Sequence, residues 1–373
     1  MSEATTANVT IAKERQFPCK GCGADLVFAP KEGSLVCPSC GHVEKIPQTA
    51  AEIKEYSFND YLHKPRATGY GKEGADKGSD VHCGGCGAVT HFDSSLTATT
   101  CPFCGAPLVA DGKGKNSDDV IRPEALIPFA ITLQQAQETF KKWISSLWFA
   151  PSNLSGGTQL KQILGIYRPF WTYDTSTVSH WVGERGDYYY TTESYTANEN
   201  GKSVQKTRQV RHTRWTTVMG VYSDFFDDVL ISAGKNTDHT TEFKLNSLNP
   251  YAPEYLSGFV AERYVISCED GWAKAKETIN GLIYASVRKS IGGNEQRVTA
   301  VTTAYNAVTY KHILLPLWLS SYRYGEKTFQ FQVNGQTGEA KGSRPYSFWK
   351  IFFLVAGIIA AIILIVALAH GSK

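Results

Sequence analysis

Eight of the nine cysteines fall in four CxxC pairs within the first 104 residues, and the pairs themselves repeat. Cys19, Cys22, Cys37 and Cys40 recur 64 positions later as Cys83, Cys86, Cys101 and Cys104. Identical internal spacing marks two copies of one module. The match extends past the sulfurs. Cys19-Lys-Gly-Cys-Gly-Ala24 parallels Cys83-Gly-Gly-Cys-Gly-Ala88, Cys37-Pro-Ser-Cys-Gly41 parallels Cys101-Pro-Phe-Cys-Gly105, and Phe28 parallels Phe92.

Zinc prefers four tetrahedral ligands, and a CxxC turn supplies two thiolates from one tight knuckle. The fourteen residues between knuckles are enough for a hairpin that brings the second pair to the first. Gly23, Gly41, Gly87 and Gly105 follow the second cysteine of each knuckle, where the chain turns with positive φ and offers backbone N–H groups to sulfur. Disulfides are the competing use of such pairs. Residues 1–16 are polar and carry no signal-peptide core, and a reducing compartment favours metal. The expectation is two Zn2+ per chain, held by Cys19, Cys22, Cys37 and Cys40 and by Cys83, Cys86, Cys101 and Cys104. With four ligands each, both sites are closed and structural, leaving no position for a reactive metal-bound water.

The fold class expected is multidomain: two small four-cysteine zinc ribbons, an α+β domain with mostly antiparallel strands, and one C-terminal transmembrane helix. The boundaries are a disordered tail at 1–16, ribbons at 17–47 and 82–110, linkers at 48–81 and 111–120 that isolate the modules, the α+β domain at 121–347, the transmembrane helix at 348–369 and a short tail at 370–373. Within the α+β domain, Thr132 with Gln135 three residues on reads as a capped helix start. It places Leu133, Ala136, Phe140, Trp143, Ile144 and Leu147 on one face. A second helix runs from Asp270 to a stop at Gly292-Gly293, with Trp272, Ala275, Ile279, Leu282, Ile283 and Val287 inward. Strands are expected around Tyr167–Tyr173, Asp187–Thr196, Val204–Val221, Val298–Val308 and Tyr322–Val333, with a hairpin turn at Asn334-Gly335.

Ile351 to Ala369 is nineteen residues without a charge, about 28 Å as a helix and close to a bilayer's hydrocarbon thickness. Lys341, Arg344 and Lys350 precede it and Lys373 follows, so the positive-inside rule keeps the N-terminal part cytoplasmic. The localisation expected is single-pass and membrane-bound. Small residues four apart, Gly357 with Ala361 and Ala356 with Ala360, would let two such helices approach as a homo-oligomer.

The net charge of +3 is too small for a dedicated nucleic-acid binder. Between Cys83 and Cys104 there is no Lys or Arg and one acid, Asp93. From Cys19 to Cys40, Lys20 and Lys31 balance Asp25 and Glu32. Phosphate binding needs several cations, so the ribbons read as protein-docking modules. The one local basic run is Lys202, Lys206, Arg208, Arg211 and Arg214, a candidate contact for an anionic surface. Its alternative is a solvated strand face with cross-strand partners such as Asp224 or Asp227.

Other motifs fail their context. Gly69-Tyr-Gly-Lys-Glu-Gly74 has no strand before it and no apolar helix after. Leu154-Ser-Gly-Gly-Thr-Gln159 has no phosphate loop to serve, and Asp238-His239 with Glu242 lacks a second histidine at helical spacing. Cys268 follows an apolar run and reads as a buried core thiol. Nothing points to an enzyme.

Taken together, the tandem Cys-Pro-x-Cys-Gly ribbons, Trp148-Phe149-Ala150-Pro151, Tyr167-Arg-Pro-Phe-Trp-Thr-Tyr173 and Leu314-Leu-Pro-Leu-Trp318 followed by Val333-Asn-Gly-Gln-Thr-Gly338 resemble a bacterial family. Its members are described as transcription-factor-IIB-type zinc-ribbon proteins, or as primosomal protein N prime (helicase)-like. The resemblance covers nearly the whole chain. It implies tail-anchored adaptors that recruit SPFH/virion-core-like and phage-shock-type proteins to the membrane. The phosphate-cradling and acidic metal-binding motifs of a helicase are missing. The function expected is therefore a non-enzymatic, membrane-anchored adaptor for protein partners, with membrane-tethered nucleic-acid binding as the alternative.

Overall fold

The computed structural model describes residues 17–47, 52–63, 79–82, 89–92, 98–100, 107–109, 121–151, 154, 163–199, 202–234, 241–324 and 327–371. The first cysteine module is a three-stranded antiparallel sheet of β1 (Val27–Ala29), β2 (Ser34–Val36) and β3 (Val43–Glu44). After it come β4 (Tyr56–Ser57) and the short helix α1 (Phe58–His63). Two hairpins follow, β5 (Ser79–His82) with β6 (Val89–Phe92) and β7 (Ala98–Thr100) with β8 (Pro107–Val109). The remainder comprises β9 (Ala125–Leu126), α2 (Leu133–Ser146), β10 (Leu164–Glu199), β11 (Lys202–Ser232), β12 (Asn249–Pro250), β13 (Val260–Ala261), α3 (Cys268–Ile291), β14 (Glu295–Tyr324), β15 (Lys327–Asn334), β16 (Ala340–Gly342) and α4 (Phe348–Gly371).

The expected separate strands fuse into three very long ones. β10 has 36 residues, β11 has 31 and β14 has 30, because no Pro–Gly turn interrupts the Tyr, Thr and Val pattern between the shorter stretches. Their main sheet runs β11-β10-β14-β15-β16, antiparallel at every step. The parallel pairings are the two-residue additions of β13 to β10 and β9 to β14. A flat sheet of this length would not wrap a core, and bulges provide the bend. At Asp174–Thr175 the registers with β11 and β14 shift together. Asp228 and Ala307, on either side, adopt φ of 49° and 50°.

Both helices expected in this region form. In α2, Thr132 and Gln135 make the reciprocal capping box. Phe140 packs edge-on against Phe331 at 4.5 Å between ring centres. α3 starts two residues earlier than expected, capped by Ser267, and ends at Gly292, whose φ is 67°. Trp272, Ala275, Ile279, Ile283 and Val287 bury against Trp171, Tyr173 and Trp181. Leu282, expected inward, is exposed. The buried stripe follows 275, 279, 283, 287 and 291 and drifts around the helix, leaving Leu282 at its margin. At Gly271 a Cβ would lie 2.3 Å from Tyr173 Oη, so only glycine permits this approach of α3 to the sheet. Trp171 Nε1 and Tyr173 Oη donate to the carbonyls of Ile266 and Cys268. The Asn334 hairpin is present too, with Gly338 rather than Gly335 taking positive φ, 79°.

Three expectations are corrected. Within the 48–81 stretch read as a linker, β4 pairs with β14, and Phe58 of α1 is buried among Tyr173, Trp272 and Tyr310. The first ribbon is therefore not held apart on a linker. The third correction concerns the membrane. α4 forms where a helix was expected, and Trp349 and Phe353 on it are exposed. Among the described residues, however, no helix is long and apolar enough to cross a membrane. The transmembrane element, the membrane as a partner and the single-pass localisation drawn from it are withdrawn.

Candidate metal centre

The two knuckles of the first module converge. Cys19 and Cys40 Sγ lie 3.6 Å apart and Cys22 and Cys37 Sγ 3.4 Å apart, and all four ligand atoms fall within 4.8 Å of one another. Four thiolates about 2.3 Å from a tetrahedral Zn2+ are separated by about 3.8 Å, so these residues fit a metal ion. All four are free thiols; Cys19 and Cys37 are buried and Cys22 and Cys40 exposed. Each knuckle is closed by its glycine. Gly23 N–H donates to Cys19 O at 2.8 Å and Gly41 N–H to Cys37 O at 2.9 Å, with φ of 70° and 74°. Gly21 N–H donates to Cys19 Sγ at 3.3 Å.

The crowded sulfurs titrate unequally. Burial pushes the Cys37 thiol up, but N–H groups of Cys40 and Ser39 and the Cys22 thiol outweigh it and bring the pKa down to about 6. Cys40 receives an N–H from His42, yet the neighbouring Cys22, Cys37 and Cys19 sulfurs push it up to about 12. Protons divided in this way among four sulfurs are what a divalent cation displaces on binding.

The module is seated on the main sheet. Phe28 meets Tyr255 edge-on at 5.3 Å and Phe259 at 6.4 Å, and Phe259 stacks on Phe129 at 4.1 Å. The contact includes backbone groups: Phe28 N–H donates to Ser257 O at 3.0 Å and Ser257 Oγ to Leu26 O at 2.6 Å. Cys19, Leu26, Phe28, Leu35, Cys37 and Ile46 thus share one core cluster with Tyr167 and Trp318.

A charged cluster fastens the segment that follows. Lys311 Nζ lies 2.8 Å from Glu55 Oε1 and 2.7 Å from Asp228 Oδ1. Asp174 accepts from Asp228 N–H at 2.6 Å and Thr309 Oγ1 at 2.9 Å. Burial, with Glu55 alongside, pushes the Asp174 carboxyl up to about 6 against the Asp228 N–H. Lys311 overcomes burial to hold Glu55 below its ordinary value. Sequence reading missed this cluster because its members come from four distant segments that only the shared bulge brings together.

The second ligand set, Cys83, Cys86, Cys101 and Cys104, lies outside the described residues, as do Gly87, Gly105, the 69–74 glycine motif and Asp238-His239. Of the 154–159 motif, Leu154 is described and is buried. Cys268 is the buried thiol expected, its pKa pushed up to about 12 by burial. The basic run lies on the distal half of β11. Lys202, Lys206, Arg208 and Arg214 are register partners of Glu199, Tyr195, Glu193 and Asp187, and Arg211 of Tyr190. Arg208 pairs with Glu193 at 3.2 Å, while Arg211 and Arg214 sit over the rings of Tyr188 and Tyr189. Their partners are on β10, whereas Asp224 bonds Tyr222 Oη and Phe225 N–H.

The fold and site define a protein with a four-cysteine centre able to hold a metal ion, seated on a mostly antiparallel sheet. No family model and no solved structure matches the chain. A relative, "Uncharacterized protein YdjG" of Bacillus subtilis (strain 168), is 28% identical over 348 residues, covering 92% of this chain and 93% of that protein.

Proposed function

We propose that this protein is a non-enzymatic zinc-ribbon adaptor that recruits protein partners. In this reading Cys19, Cys22, Cys37 and Cys40 bind one Zn2+, and the repeated spacing assigns a second to Cys83, Cys86, Cys101 and Cys104. The observation that carries it is the closed set of four converging thiols on a module already docked to the main sheet. A metal held there stiffens a surface and has no open position for chemistry. The ribbon's balanced charge and the pairing of the basic run with β10 favour a protein partner over nucleic acid. The resemblance to the transcription-factor-IIB-type zinc-ribbon family names SPFH/virion-core-like and phage-shock-type proteins as the first partners to test.

Metal analysis of the purified chain is expected to give two zinc ions, falling to one in Cys22→Ser, with partner capture lost in step. Capture unaffected by zinc removal would reject the reading. DNA affinity that falls steeply with salt, by about three orders of magnitude or more between 50 and 200 mM, would indicate a phosphate-binding surface instead.

A further inference from the structure

β14 pairs with β10 only as far as Gly186, opposite Glu295. Beyond that level 187–199 and 202–214 pair with each other alone, forming an arm about 40 Å long at 3.4 Å per residue. Asn294 closes the end of the β14 edge: its N–H donates to Gly186 O, and its Oδ1 accepts from Tyr188 N–H. From Tyr189 outward no strand among the described residues lies on that edge of β10. Two-stranded ribbons are marginal in water, and an open edge presents a row of backbone donors and acceptors to any strand that fits.

The two edges of the arm differ. β11 carries Lys202, Lys206, Arg208, Arg211 and Arg214 there, and a second β11 alongside would set like charges together. The stretch 189–199 of β10 has no Lys, Arg or Pro, the residues that ordinarily protect an edge.

We propose that this edge pairs with the same edge of a second copy, antiparallel about a two-fold axis at Ser194. That register sets Tyr189 opposite Glu199 of the second copy, Tyr190 opposite Asn198, Thr191 opposite Ala197, Thr192 opposite Thr196, Glu193 opposite Tyr195, and Ser194 opposite itself. Thr–Thr cross-strand pairs are favourable, and no like charges face one another. Neighbouring registers are worse: an axis at Glu193 opposes two carboxylates, and an axis at Thr192 runs residues 197–199 of the second copy into the edge that Asn294, Glu295 and Gln296 already occupy. The paired length, 189–199, ends where the free edge ends, and the interface is isologous and closed. It makes a four-stranded ribbon with the basic strands outermost and the two cysteine-bearing bodies at opposite ends.

The test uses the full chain in a mild detergent that keeps the exposed apolar residues of α4 apart. Sedimentation velocity is expected to show a dimer. p-Benzoylphenylalanine placed at Thr192 is expected to cross-link it, with mass spectrometry joining 187–199 to itself. Thr192→Lys is expected to raise the dimer dissociation constant about tenfold or more, and Gln205→Lys on the other edge to leave it unchanged. A monomer at all concentrations, a dimer that survives both Thr192→Lys and Thr192→Pro, or cross-links from position 192 only to a different protein would overturn the proposal. The cross-link, made in a chain with an otherwise native arm, decides the matter even if Thr192→Pro does not fold.

Discussion

The first cysteine module and the β10–β11 arm are both too thin to bury a core of their own, and they are held in different ways. The module has strands of two and three residues. It draws its order from four converging thiols and from lending Leu26 and Phe28 to a core that the main sheet supplies. The arm stands beyond α3 and β14 and relies on its own ladder of cross-strand pairs. A metal and a borrowed core give a few large, localised contributions, whereas a ladder gives many small ones. The two regions should therefore fail differently.

The largest expected effect is metal removal. Structural zinc contributes an apparent binding energy of about 10–16 kcal/mol in zinc-finger peptides, so chelation or Cys22→Ser is expected to unfold 17–47. Because Phe28 and Leu26 contact Tyr255, Ser257 and Phe259, hydrogen exchange should rise at 255–259 as well. Exchange in 187–214 should stay as it was. An equal rise in the arm would erase the contrast between the regions.

Next in size is Phe28→Ala, which removes the ring that joins module to sheet without touching a ligand. The expected loss is about 3–5 kcal/mol of docking. Stoichiometric zinc should remain while limited proteolysis accelerates within 17–47. Loss of the metal together with docking would mean that the sheet, not the sulfurs, shapes the knuckles.

A smaller effect belongs to the cluster that pins Glu55. The Asp174 carboxyl titrates near 6 in the fold, above its value of about 3.9 in an unfolded chain. The folded state therefore prefers the protonated form. Asp174 contributes stability below about pH 4, and the contribution is lost as pH rises through 6, by about 2 kcal/mol after allowance for screening. Thermal melts should show the difference between wild type and Asp174→Asn changing across pH 4–6 and flat above it. A difference independent of pH would mean that this carboxyl is already ionised throughout.

The smallest effect is in the arm. Arg208 and Glu193 are both well exposed, and such a pair contributes less than about 1 kcal/mol. A double-mutant cycle with Arg208→Gln and Glu193→Gln should give a coupling of a few tenths of a kcal/mol, diminishing with salt. A coupling above 2 kcal/mol would show that one pair, rather than the ladder, holds the arm.

The convergence of Cys19, Cys22, Cys37 and Cys40 was legible because the geometry of a cysteine knuckle is local. A CxxC turn must place two sulfurs on one centre whatever surrounds it, and the glycines at 23 and 41 follow from the same turn. The capping box at Thr132 and the stop at Gly292 were legible for the same reason, since each depends on neighbours three or four residues away. The strand pattern was legible as β but not in its length, because alternation does not say whether consecutive stretches belong to one strand or several. The apolar C-terminal run was legible as a helix, which forms as α4, whereas the membrane crossing drawn from it is not borne out among the described residues.

Sequence alone determined the convergence of the first two cysteine pairs, the mostly antiparallel α+β character, the start of α2 and the stop of α3. Tertiary structure decided that the first module is docked rather than suspended, because Phe28 and Phe259 are 231 residues apart in the chain. It also decided that Glu55, Asp174, Asp228 and Lys311 form one charged cluster, and that the five cations of β11 face rings and carboxylates of β10. These outcomes follow from registers and bulges set across the whole sheet, and no local pattern encodes which distant residue will arrive opposite.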